Sequence, residues 1–193
     1  MATAYRQSVA AKIAEACSII RRPDWRAKSP VRPLVYDWDY DSIVVHYTGH
    51  EHLTAPSAIQ DFDIGHDHWD DIAYHYAISP EGQIYEGREL IYKGSHVKLQ
   101  NTGKIGIVCM GDFDTGLMSL YWGHGYSGDP IEDTMISALR KLSQVLISTF
   151  QIHFFGGHIE YGETAVCPGN KLLPVVQAMR NDFGLATPIH REL

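Results

Sequence analysis

The amino-acid sequence predicts an α/β fold, a single domain in which a mixed central β-sheet is flanked by helices on both faces. Three observations carry that expectation. Short β-branched runs alternate with stretches of helical periodicity, so strands and helices belong to one layered unit. Two strand candidates are separated only by the tight turn Pro80-Glu81-Gly82, which makes one pair antiparallel and the sheet mixed. The 193 residues suffice for one substantial core and are too few for two ordinary domains.

Taken in order, residues 5–17 carry Val9, Ile13 and Ala16 at helical spacing, a short amphipathic helix that packs on the domain or on a partner. The Pro-rich, charged segment RRPDWRAKSP follows as a loop. Residues 42–48, SIVVHYT, read as a buried strand with His46 near its C-terminal end. Pro56 followed by Ser57, Ala58, Ile59 and Phe62 suggests a short helix. DIAYHYAIS and QIYEG form the two arms of the hairpin, and KIGIVCMG, bounded by glycines, reads as a central strand. Ile131, Met135, Leu139, Leu142, Leu146 and Phe150 recur every three or four residues, marking a core-facing helix. A strand at about residues 152–155 precedes the loop GGHIEYGETAVCPG, and a last helix runs over about residues 170–183 until Gly184 stops it. The expected organisation is a helical extension over 1–19, the domain proper over 20–184 with an irregular stretch at 112–130, and a tail over 185–193.

Composition narrows the function classes. Hydrophobic residues at 45% and charged residues at 20% are those of a globular protein. A formal net charge of -7 without a dense Lys/Arg cluster argues against nucleic acid as a partner. Cys17, Cys109 and Cys167 are odd in number and widely spaced, a poor disulfide framework. Arg6, Lys12 and Glu15 interrupt the first twenty residues, so no secretory signal core or membrane insertion is expected. The expectation is a monomer, cytoplasmic as synthesised.

Among the eleven histidines, most lie in polar loops where solvated imidazoles need no explanation. His46 differs, because it interrupts an apolar strand where a buried imidazole needs a partner. His158 and Cys167 flank a Gly- and Pro-punctuated loop that can fold back on itself. Two neutral imidazoles and a thiolate suit zinc, and three protein ligands leave its fourth position open for chemistry. Spacing alone leaves these three as plausible ligands and no more.

The segments VVHYT, DIAYHYAISPEGQIYEGR, NTGKIGIVCMGDF and GHIEYGETAVCPG, in this order, resemble the type-2 N-acetylmuramoyl-L-alanine amidases. That family includes phage amidases often called lysozymes and the animal peptidoglycan recognition proteins. With RRPDWRA near the start, the resemblance covers about residues 20–172. It implies a mixed sheet with helices on both faces, and a Zn2+ ion held by His46, His158 and Cys167. Cys167 sets the chain beside the hydrolytic members, since members that only recognise the wall commonly lack this cysteine.

The implied reaction is hydrolysis of the amide between the lactyl group of N-acetylmuramic acid and L-alanine, on peptidoglycan or muropeptides. The resemblance implies a catalytic role for Tyr74 beside the metal. The family's second polar group falls on Ala165, and the loop is one residue longer than usual, which makes Thr164 the candidate for that role. His96, in KGSH, matches a histidine of the substrate groove in phage members, and Asp63 stands where many animal members have a groove histidine. Glu86 and Arg88 match a family signature and read as braces of the hairpin end. In the long stretch over 112–130, Trp122 and its aromatic neighbours Tyr121, His124 and Tyr126 are candidates for a lip over the groove. A cell-wall-lysing endolysin or an interbacterial toxin, acting in the periplasm or after release, fits these expectations, with an immunity or regulatory protein as a further partner. A non-catalytic peptidoglycan-binding module and a cytoplasmic muropeptide-recycling amidase are the alternatives.

Overall fold

A computed structural model describes residues 2–50, 52–115, 128–162 and 166–188. The elements in chain order are α1 (Ala2–Cys17), β1 (Ser42–Tyr47), α2 (Pro56–Gly65), β2 (Tyr76–Ile78), β3 (Ile84–Glu86), β4 (Lys104–Cys109), α3 (Asp133–Thr149), β5 (Phe154–Gly157), a 3-10 turn (His158–Tyr161) and α4 (Leu172–Phe183). The five strands form one sheet in the order β3-β2-β4-β1-β5. β2, β4, β1 and β5 run parallel, and β3 closes the edge antiparallel to β2. The mixed sheet expected from the hairpin is therefore present.

β1 and β4 are buried along almost their whole length, as strands covered on both faces must be, and this is why they read as continuous apolar runs. Alternation along β1 divides its side chains. Ile43 and Val45 enter the large core that Ile13, Met135, Leu139, Leu142, Leu146, Val176 and Met179 build from α1, α3 and α4. Val44 and His46 face the other way, onto the side where Ile59 of α2 packs on Ala77 and Val108. Helices thus cover both faces. Helix α1 contributes Ile13 and Cys17 to the main core and packs on α3, so the N-terminal helix is joined to the domain.

Two predicted boundaries move. Only residues 76–78 of DIAYHYAIS pair as strand, because the backbone before them bonds elsewhere: Ile72 N–H donates to Asp71 Oδ1 and Ala73 N–H to Asp63 Oδ2. The strand expected at 152–155 lies two residues later, where Phe154 first comes into register with Ser42. Among the described residues no helix is long and apolar enough to cross a membrane.

Candidate metal centre

Register brings the two histidines together. β1 and β5 are adjacent and parallel, with Val45 opposite Gly157, so the next residue of each, His46 and His158, leaves the sheet side by side at the strands' carboxyl ends. Their ring centroids are 4.5 Å apart. Cys167 reaches the same point from the loop beyond the 3-10 turn, held by Ile159 N–H donating to the Cys167 carbonyl at 2.8 Å. Gly157 makes room for this approach, since a Cβ there would lie 2.5 Å from Pro168 Cδ. One ligand atom from each of His46, His158 and Cys167 falls within 4.8 Å of the others.

These residues fit a zinc ion on two grounds. Cys167 Sγ and His46 Nδ1 are 3.5 Å apart, and ordinary zinc–sulfur and zinc–nitrogen bonds in a tetrahedral site separate such atoms by about 3.6 Å. His46 is 1% exposed, and burial, then the imidazoles of His158 and His96, hold it well below its usual ionisation range. It is thus kept in the neutral form, the form in which an imidazole can ligate a metal. His158 and Cys167, unlike His46, are only half-buried.

The second histidine is anchored by charge. Glu160 accepts Gly157 N–H at 2.9 Å and is gripped by Arg180 Nη1 at 2.8 and 2.9 Å. Arg180 also donates to the Phe155 carbonyl, so α4 holds both the end of β5 and the turn that carries His158. Sequence reading missed Glu160 and Arg180. The available signal was a basic residue on the buried side of the last helix, beside Val176 and Met179.

Tyr74 lies against His46 with ring centroids 5.0 Å apart. Burial, then the charges of Asp63, Cys167 and Asp67, keep its hydroxyl protonated far above the ordinary tyrosine range. It can donate a hydrogen bond at any physiological pH. Its segment is braced from below. Arg88 donates to the carbonyls of Ile72, Asp71 and Lys93 and to Ser95 Oγ, and Glu86 accepts from Arg21 and from Arg22 N–H, as the bracing roles read for both require. Asp63 is buried beneath the segment as the acceptor of Ala73 N–H.

His96 is placed differently from its expected position on the groove wall. It is 5% exposed and sits behind His46, with Nδ1 3.0 Å from His46 Nε2 and Nε2 3.4 Å from the Lys104 carbonyl. Its ring rests in a cradle formed by Gly94 and Gly106, at each of which a Cβ would lie 2.5 Å from His96 Cδ2. The empty side of Gly106 in β4 is what admits the ring. A fourth imidazole, His75, continues the layer 5.9 Å from His96, accepting Gly106 N–H at Nδ1 and facing the Tyr92 carbonyl with Nε2. Thr164 and Trp122, with Tyr121, His124 and Tyr126, lie outside the described residues.

Fold and site together define an α/β protein in which a His–His–Cys cluster able to hold a metal gathers at the carboxyl ends of neighbouring parallel strands. The chain belongs to the N-acetylmuramoyl-L-alanine amidase (Amidase_2) family, whose model matches residues 37–170. Peptidoglycan-recognition protein SC2 of Drosophila melanogaster is 24% identical over 174 residues, covering 85% of this chain and 87% of the relative. Endolysine N-acetylmuramoyl-L-alanine amidase LysCS from Clostridium intestinale URNW shares the fold with a TM-score of 0.69 at 24% identity, over 82% of this chain and 93% of that one. Peptidoglycan recognition protein-LE, solved in complex with tracheal cytotoxin (monomeric diaminopimelic acid-type peptidoglycan), superimposes with a TM-score of 0.69 at 19% identity, over 88% and 96% of the two chains.

Proposed function

We propose that this protein is a zinc-dependent hydrolase that cuts the amide between the lactyl group of N-acetylmuramic acid and the L-alanine of the stem peptide. The convergence of His46, His158 and Cys167 within 4.8 Å carries the reading. Membership of the amidase family supports it, as do relatives named for peptidoglycan recognition and an endolysin of the same fold. When bound, zinc supplies Lewis acidity, which polarises a carbonyl and lets water ionise at a pH of about 7.

The chain's own residues do the rest. His46 and His158, fixed by strand register, and Cys167, fixed by the Ile159 bond, would present two imidazole nitrogens and one sulfur to the ion. Tyr74 keeps its proton and donates to the negative oxygen that develops as the amide carbon becomes tetrahedral. The half-buried His158 and Cys167 are the members of the cluster that a muropeptide would approach. Wall lysis after release, as an endolysin or an interbacterial toxin, is the setting we assign to this activity.

Mass spectrometry of muropeptides after digestion tests the reading. Wild type is expected to release free stem peptides, and Cys167→Ala and chelator-treated protein are expected not to. Intact lactyl–alanine bonds in every sample would overturn it.

A further inference from the structure

We propose that His96 is a positioning residue for the metal centre, fixing through its own tautomer which nitrogen of His46 is bare. This inference rests on the zinc reading above. The Lys104 carbonyl can only accept a hydrogen bond, so the His96 Nε2 that faces it at 3.4 Å carries the proton. A neutral imidazole has one N–H, so His96 Nδ1 is then a bare acceptor. That atom lies 3.0 Å from His46 Nε2, which must donate. His46 Nδ1 is left without a proton, and this is the nitrogen 3.5 Å from Cys167 Sγ.

A backbone carbonyl of β4 thereby dictates, through two imidazoles, the lone pair offered to the ion. His96 is held for this task. The Gly94 and Gly106 cradle fixes its ring plane, and its backbone N–H donates to Asn101 Oδ1 at 2.7 Å, which sets the loop. Partners that orient ligating histidines are ordinarily carboxylates, carbonyls or water, and their loss weakens metal binding by about 10–100-fold. Here a second histidine, itself buried and itself oriented, fills the place.

Two measurements on the full-length protein test this. Nitrogen-15 imidazole correlations of the metal-free wild type are expected to show His46 and His96 both protonated on Nε2. A proton on His46 Nδ1 would overturn the relay, and this arm needs no variant. Titration of Zn2+ against a chromophoric chelator is the second arm. His96→Leu, which fits the cradle without an acceptor, is expected to bind Zn2+ about 10–100-fold more weakly than wild type. His96→Asn, whose Oδ1 stands near the lost Nδ1, is expected to restore most of that affinity. Equal affinity of His96→Leu and wild type would refute the positioning role while leaving the zinc centre intact. A wild type that takes up no Zn2+ would remove the centre and the relay together.

Discussion

Glu160→Ala offers the sharpest test of how the His158 turn is built. Glu160 and Arg180 are 12% and 9% exposed at their side chains and 2.8 Å apart, so removing the carboxylate strands a guanidinium away from water. Breaking such a buried pair costs about 3–5 kcal/mol, against a total stability of about 5–15 kcal/mol for a domain. At about 2–4 °C per kcal/mol for a chain of this length, the melting temperature should fall by roughly 6–20 °C. Urea unfolding at 25 °C, paired with a thermal melt, measures it. The paired variant Glu160→Leu/Arg180→Met should recover most of the stability, since apolar residues can replace a buried ion pair. It should not recover metal affinity, because the Gly157 N–H that fixes His158 still lacks its acceptor. A loss below about 1 kcal/mol in Glu160→Ala, the range of a solvated surface pair, would refute the reasoning.

Tyr74→Phe keeps the ring against His46 and removes the donor, so turnover should drop by about 100–1,000-fold with Zn2+ affinity unchanged; parallel loss of Zn2+ binding would instead assign Tyr74 to packing. Burial, with Asp67 and Asp71 adding, raises Asp63 from 3.8 to about 7. The folded state then holds a proton that the unfolded chain releases near pH 4, so stability falls as pH rises from about 4 to about 7 and levels off above. Asp63→Asn removes that loss, and its stability relative to wild type should grow by about 4 kcal/mol between pH 4 and pH 8 in urea melts; a difference independent of pH would exclude Asp63 as the titrating group. Gly106→Ala places a methyl 2.5 Å from His96 Cδ2, so it should cost about 1–3 kcal/mol and displace His96 from His46. Thermal melts at wild-type values would show that the cradle has slack.

The architecture was legible wherever one local rule acted alone. β1 and β4 announced themselves as apolar runs because parallel strands are buried on both faces, and α3 did so because its core residues recur with helical period. His46 stood out for the same reason, as a polar residue inside such a run. What the sequence did not disclose depends on pairing between distant segments. His96 sits in a loop of Gly, Ser and Lys whose composition suggests solvent, and only the parallel alignment of β1 with β4 carries Gly106 beneath it and His46 against it. Glu160 and Arg180 are twenty residues apart on a turn and a helix, and nothing local couples them. The early end of DIAYHYAIS fails as a strand because side-chain carboxylates take its amides, a competition that period-2 alternation does not register.

The placement of β1 between β4 and β5 also orders events in time. Both of its neighbours are made later than β1 itself, the second more than a hundred residues later. While the chain emerges from a ribosome, His46 therefore belongs to a strand whose partners are still to come, and the three candidate ligands cannot meet until residue 167 has been synthesised. On the proposed zinc reading, ion capture would then come late in the folding of the nascent chain. A chain that stops short of residue 167 would lack Cys167, the third candidate ligand, and with it the proposed activity.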